Sequence, residues 1–600
     1  MRKYLLTAIT VVLCLTALVP VAQAQGTASL SLSGKYNGGD SGYDSMPFVV
    51  ALADASGILG NDPVYEAPPA QQILAKTDGT ATRGSYSLTL PAKPTGRALK
   101  DSPNVLAFDV RLMSDAGKHG YLMPNEDIVS SSLKLDVDYT PQGGRLLLWA
   151  PDASEHFGMD SAFPAVVLPS GWSVLELDSR QIVPLTAVDL YPTDFAQTID
   201  YQQLSCAVLI PTFLDRVQKY YPFTDLKHID WTALRAKLIP ESKTAQTNAD
   251  CQRIIREFGN AIPDGHVDFS LPALLGDWAG SAGLTLAPTS EGKIVVYLVR
   301  PLSAANLAGI KPGAEISAWD GLPIDQALTK VTLQSLNSGT AHGLLNVRLQ
   351  LLPRGPLGSQ VKVTFQNPGE PATTATLIRD LPQPIRSGKA PITVQNHKLP
   401  SGDGYFRISG FSDGRLVDQF DTVIDQLIQE NAPAIILDIR SNPGGWSQVS
   451  DALAGRFFER AFLVGTTVAN GNRTIAEELA NPRPPIYKGC VLILVDVNSA
   501  SAADIFSYTF KASQRGLIVG HTPSAGMAGT PSGGMYNLPG GAFIQVPTGG
   551  LIDATGKTIV EGVGTVPDIL VPQTVQSLLS PDDDVLAAAE AAVSSCKVNQ

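Results

Sequence analysis

Cysteine is scarce in this chain: five residues in 600, too few to frame a fold of this length with disulfides. No Cys/His cluster has metal-ligand spacing, so neither a structural zinc nor any other metal or organic cofactor is implied. Basic charge is short as well. The 44 Lys and Arg are outnumbered by 56 Asp and Glu, leaving a net charge of -12 with no basic stripe. That balance argues against nucleic acid as a partner, because phosphate contacts need clustered Lys and Arg. Beyond the first residues, no apolar run is long enough to cross a bilayer. What remains is globular material, 44% hydrophobic and 17% charged, and too long for a single core.

The first residues read as an address. Arg2 and Lys3 precede the apolar stretch Tyr4 to Val19, and Ala22-Gln23-Ala24 supplies small residues for a cut after Ala24. A signal peptide over residues 1–24 places the mature chain outside the cytoplasm, periplasmic or secreted, with no membrane span after its removal. In that oxidising compartment Cys206 and Cys251, both in one helical region, are a possible disulfide.

From residue 25 to 195 the pattern is β-rich. ASLSLSGKY, GSYSLTLP, NVLAFDVRLM, SSLKLDVDY, GRLLLWAP and WSVLELD alternate with period two between turn residues, which predicts an all-β, sandwich-like region. Residues 196–275 turn helical in YQQLSCAVLIPTFLDRVQKYYPF, HIDWTALRAKLIP and CQRIIREFGNAI, and lead to Pro263-Asp264-Gly265-His266-Val267. Residues 276–385 return to short strands. Residues 386–578 alternate strand and helix, the signature of an α/β domain with parallel strands. The tail, 579–600, predicts a helix on which Asp582 to Asp584 act as a cap.

In VLILVDVNSASAADIFSYTF a buried strand turns into an amphipathic helix across Ser499 and Ser501. A serine there projects from the carboxyl end of the sheet, where open α/β sheets place ligands, and helix-terminal N–H groups nearby can stabilise a negative oxygen. Capping of the helix by either serine is the plainer alternative. A second strand, AIILDIR, runs into Ser441-Asn442-Pro443-Gly444-Gly445, whose glycines permit a tight turn with N–H groups facing a ligand.

Taken in order, DIRSNPGG, VDVNSASAADIF, GLIVGHTPSAG and IVEGVGTVPDI resemble the core of the tail-specific, or C-terminal processing, serine peptidases, a family that includes the tricorn core protease. YYPFTDLKHIDWTAL and IPDGHVDF resemble the helical portion that precedes that core. The resemblance covers about residues 196 to 575 and implies a core of the ClpP/crotonase-like type, with Ser501 as nucleophile and the N–H groups of Gly445 and Ala502 as oxyanion donors. The tail-specific branch places a lysine base about 25 residues after the serine. Here no Lys or Arg lies between Arg515 and Lys557, and the turn reads Gly520-His521-Thr522-Pro523. The tricorn-like branch uses an upstream histidine and a downstream glutamate instead. Matching positions hold His266 and Glu561, although Gly265 stands where that branch has a serine. His521 ranks behind His266 as base, and Asp504 reads as a helix cap.

SAGLTLAPTSEGKIVVYLVRPLSAANLAGIKPGAEISAWDGLPI resembles a PDZ domain, which implies that Ala282, Gly283 and Leu284 receive a peptide's terminal carboxylate. The expectation is therefore an exported serine endopeptidase acting on peptides or unfolded protein segments through Ser501, His266 and Glu561. The alternatives are a non-catalytic peptide- or ligand-binding protein on a degenerate scaffold, or a hydrolase of non-peptide esters.

Overall fold

The computed structural model describes residues 199–595 apart from 336, 383–393, 413–414, 446, 470–472 and 531–533, together with strand segments between residues 30 and 182. The expected export signal over residues 1–24 and the strand SSLKLDVDY lie outside the described residues. In the amino-terminal region Leu30–Asn37 pairs antiparallel with Arg83–Leu90. A separate eight-stranded sheet is built around Phe48–Asp54, Ser102–Asp115, Arg145–Trp149 and Trp172–Glu176, again antiparallel.

Three helices follow: α1 (Cys206–Tyr220), α2 (Trp231–Thr244) and α3 (Asn248–Ala261). Thr247 and Asp250 form a reciprocal cap at the start of α3, satisfying N–H groups that the first helical turn cannot. A disulfide joins Cys206 to Cys251, so α1 and α3 are linked covalently. The apolar stripe of these helices does not close on itself. Phe213 sits edge-on to Phe258 and to Tyr536, 5.0 Å from each, so the helices share one core with a strand far down the chain.

That sharing is what carries His266 toward the α/β core. Strand β1 (Asp268–Ser270), just after the histidine, pairs antiparallel with residues 543–545, Phe269 lying opposite Ile544. Next comes an antiparallel sheet of β2 (Leu284–Pro288), β3 (Ile294–Val299), β4 (Glu315–Trp319), β5 (Gln360–Gln366) and β6 (Thr373–Ile378). Between β4 and β5 the chain forms α4 (Ala341–Leu351), which packs on β2.

The α/β core holds a six-stranded sheet in the order β7 (Val394–Lys398), β8 (Gly404–Ile408), β9 (Ala434–Asp438), β10 (Cys490–Val495), β11 (Leu517–Gly520) and β12 (Ile569–Leu570). The first pair is antiparallel and the rest are parallel. Every residue of β9 and β10 is buried, as expected of strands covered on both faces. One cover is built from α5 (Arg415–Gln429), α6 (Ser447–Ala454) and α7 (Ala502–Ala512), through Phe420, Ile424, Leu453, Phe506 and Phe510. The other is α8 (Asp584–Ala592), through Val585 and Ala589. Asp583 caps α8 by accepting the Leu586 N–H, the role expected of the acidic cluster.

Candidate active site

β9 and β10 end side by side, and the segments that leave them build the site. Ser499 donates its hydroxyl to Ile439 O at 2.9 Å and is wholly buried, so it ties the two strand ends together and faces no ligand. Ser501 is different. It precedes α7 with φ 57° and ψ −121°, a conformation that costs a side-chain-bearing residue about 1–3 kcal/mol. The surrounding loop holds it there: its N–H donates to Asp504 Oδ2 at 3.1 Å, and its Oγ lies 3.0 Å from His266 Nε2. The two residues are 235 positions apart, and the pairing of β1 with residues 543–545 closes that gap; Gln545 Nε2 also donates to His266 O at 3.3 Å.

Asp504 works as more than a cap. Its carboxylate is fully buried and accepts the N–H groups of Ser501, Gly526 and Met527 and the Ser524 hydroxyl. Burial pushes its carboxyl up to about 7, against the pull of these donors. The result is a loop, residues 524–528, fixed against the start of α7. Thr340 Oγ1 donates to Ala525 O at 3.1 Å and His342 Nε2 contacts Ser524 O at 2.8 Å, so the head of α4 rests on the same loop.

Gly444 and Gly445 form the facing wall. Gly444, at φ 94°, leaves no room for a side chain: a Cβ there would lie 2.6 Å from Ala500 O and 2.7 Å from Ser501 Cβ. Asn442 Oδ1 accepts the Gly444 N–H and Phe411 N–H donates to Gly444 O, which locks the turn. Among the described residues neither the Gly445 nor the Ala502 N–H donates a hydrogen bond. Both residues line a cleft with Ser501, Ser447, Thr467, Glu478, Ile505, Met527, Ala528 and Leu551. A serine hydroxyl and two backbone donors on one cleft, with an imidazole acceptor buried behind the hydroxyl, are the parts that acyl transfer requires.

His266 is buried, and burial holds its pKa below the ordinary 6.5; Lys227 pushes the same way and Asp264 opposes. The ring is therefore neutral near pH 7, the form that accepts a proton. Its Nδ1 is buried with no partner among the described residues. Glu561 reaches the same buried cluster but bonds elsewhere: Oε2 accepts the Ala528 N–H at 2.8 Å and Oε1 lies 2.6 Å from Lys227 Nζ. Burial and the nearby Asp264 raise its pKa, while Lys227 holds it down. Lys227 carries no mark in the sequence beyond a place in YYPFTDLKHIDW. A search for a lysine along the chain near Ser501 cannot find one that arrives from the helical region through space.

The remaining expectations fare differently. His521, just past the end of β11, bonds elsewhere, its Nδ1 against Val571 O at 2.9 Å and its Nε2 3.3 Å from Asp584 at the start of α8. Gly265 has no serine's hydroxyl, and Met527 fills the space: a Cβ at 265 would lie 2.6 Å from the Met527 sulfur. In the strand module, the Ala282 N–H donates to Pro353 O at 3.1 Å and the Gly283 N–H to Ser281 Oγ at 3.1 Å, with Ala282 and Leu284 buried. Two of the three residues expected to hold a terminal carboxylate, Ala282 and Gly283, thus have their amides engaged within the module. Among the described residues no group of three or more His, Cys, Asp or Glu could hold a metal ion, and no helix is long and apolar enough to cross a membrane.

Residues 403–571 match the model of peptidase family S41. The chain is 26% identical over 239 residues to the carboxy-terminal processing protease CtpB of Bacillus subtilis (strain 168), a match covering 39% of this chain and 44% of that protein. It is 28% identical over 224 residues to the carboxyl-terminal-processing protease of Synechocystis sp., covering 36% and 46%. The tail-specific protease of Haemophilus influenzae is 26% identical over 309 residues, covering 49% and 42%. The chain thus spans less than half the length of these three relatives. Among solved structures, mature CPAF aligns with a TM-score of 0.49 at 16% identity, over 62% of this chain and 94% of that one.

Proposed function

We propose that this chain is an exported serine endopeptidase of the peptidase family S41 type, whose model matches residues 403–571, and that it cleaves peptides or unfolded protein segments. One observation carries this reading: His266 Nε2 lies 3.0 Å from Ser501 Oγ beside a cleft with free backbone donors.

In this mechanism Ser501 Oγ attacks the scissile carbonyl carbon while its proton passes to His266 Nε2. The carbonyl oxygen becomes negative and is held by the N–H groups of Gly445 and Ala502. Collapse of this intermediate breaks the C–N bond, and His266 returns the proton to the departing amine. Water then attacks the acyl-enzyme ester, giving one proton to His266 and its oxygen to the acyl carbon. The ester C–O bond breaks, the proton returns to Ser501, and a carboxylate product leaves. Glu561, paired with Lys227, lends electrostatic support from behind the imidazole. Residues 276–385 form a PDZ-like module docked on the core through α4, and residues 25–195 form a β-rich accessory region.

A fluorophosphonate probe tests the reading. It forms an ester from Ser501 Oγ to phosphorus with loss of fluoride, and labelling of Ser501 that disappears in His266→Ala supports the assignment. A folded protein that takes no label is a binding protein on the same scaffold.

A further inference from the structure

We infer that Asp264 is the positioning residue for His266, its carboxylate receiving the Nδ1–H of the imidazole as the serine proton moves to Nε2. This rests on the peptidase reading above and assigns within it a carboxylate other than Glu561.

For Nε2 to accept from Ser501, the ring must carry its own hydrogen on Nδ1. That nitrogen is buried and has no partner among the described residues. A buried N–H left unpaired forfeits the hydrogen bond it had to water, and the cost grows once the ring becomes a cation. An acceptor must therefore lie close by. Glu561 is already committed, one oxygen to Lys227 and the other to the Ala528 N–H. Asp264 is fully buried and holds no cation among the described residues; its partners are neutral donors, the Tyr221 hydroxyl at 2.8 Å on Oδ2 and the backbone N–H of His266 itself at 2.8 Å on Oδ1.

The spacing explains the arrangement. In Asp264-Gly265-His266 the aspartate folds back on the N–H two residues on, which sets the carboxylate against the base of the imidazole. Each carboxylate oxygen keeps a spare lone pair, so Oδ1 can take an Nδ1–H while still accepting the His266 N–H. A buried anion with no cation of its own gains most at the moment an imidazolium forms beside it. The pull of Asp264 on the His266 pKa, upward against burial, agrees in direction.

The charged and titratable groups around the ring are Lys227, Asp264, Glu561, Tyr221, Asp268 and Asp504. The test follows the rate of fluorophosphonate labelling of Ser501 against pH in the full chain. Asp264→Asn is expected to lower the plateau on the order of 10²-fold and to move the acid limb to lower pH, because the ring loses the anion that favours its protonation. Tyr221→Phe keeps the carboxylate but strips one donor from it, and is expected to move the limb the other way. An Asp264 that merely supports the loop lowers the plateau and leaves the limb where the parent has it, and that result overturns the inference. Should Asp264→Asn not fold, an unmoved limb in Tyr221→Phe does the same. A parent protein that takes no label ends the peptidase reading and this inference together; a labelled parent with unmoved limbs ends the inference alone.

Discussion

Lys227 Nζ lies 2.6 Å from Glu561 Oε1, and neither side chain exposes more than 5% of its surface. A cation from the helical segment is thus matched to an anion from the loop before β12, and the pair closes the back of the site that Ser501 and His266 open at the front. Two buried charges in contact hold each other in place. Either one alone is a liability.

Lys227→Met therefore leaves Glu561 buried without its cation, and is expected to cost about 3–5 kcal/mol of stability. Urea unfolding followed by fluorescence measures this. The double variant Lys227→Met with Glu561→Gln removes both charges and is expected to recover most of the loss. If the double variant is no more stable than the single one, the pair is not what holds this region.

The two ends of the site differ in how legible they are. VLILVDV and AIILDIR announce buried strands by composition alone, and their turns, Asn498 to Ser501 and Ser441 to Gly445, fall where the structure begins α7 and the glycine wall. The meeting of His266 with Ser501 has no such signal. It depends on three residues of β1 pairing with 543–545, and short antiparallel pairings between distant segments leave no periodic trace. His266 and Glu561 are legible only through the family resemblance. Lys227 is not legible even so, because a single lysine in a helical region reads as solvated until its partner is known. The engaged amides of Ala282 and Gly283 are a similar case, since Pro353, one of their acceptors, comes from another part of the module.

The pH dependence of activity follows from the environment of His266. Burial first, then Lys227, holds its pKa below the ordinary 6.5 against the opposing effect of Asp264. In the proposed mechanism the neutral ring is the base, so lowering the pKa extends activity toward acid. Peptide hydrolysis is expected to show its acid limb below pH 6.5. The sign for stability is the same: the contribution of the neutral buried ring is complete above 6.5 and is lost as pH falls toward the folded value. A kcat/KM profile with its acid limb above 6.5 contradicts this account.

Gly265 is open to a direct steric test. The space beside it belongs to Met527, so Gly265→Ser forces that side chain to move and is expected to cost about 1–3 kcal/mol. Met527→Ala made on top vacates the space, and the two changes together are expected to be less damaging than their sum. Thermal unfolding of the parent, both single variants and the double variant supplies the cycle. Strict additivity means that residues 265 and 527 do not share this space.

The proposed oxyanion donors are backbone groups and cannot be deleted by changing their own side chains, but Gly444 gives access to them. Its φ of 94° strains any residue with a Cβ, and that Cβ would lie 2.7 Å from Ser501 Cβ and 2.9 Å from Ala502 N. Gly444→Ala must push the glycine wall away from the start of α7, widening the gap between the Gly445 and Ala502 N–H groups. Removing one such donor elsewhere costs about 10²–10³ in kcat, so a fall of on the order of 10²-fold is expected here, with KM little changed because the donors act on charge that develops only during the reaction. The Ser501–His266 contact does not pass through residue 444. A variant that keeps its kcat while losing stability would place the oxyanion somewhere other than between these two strand ends.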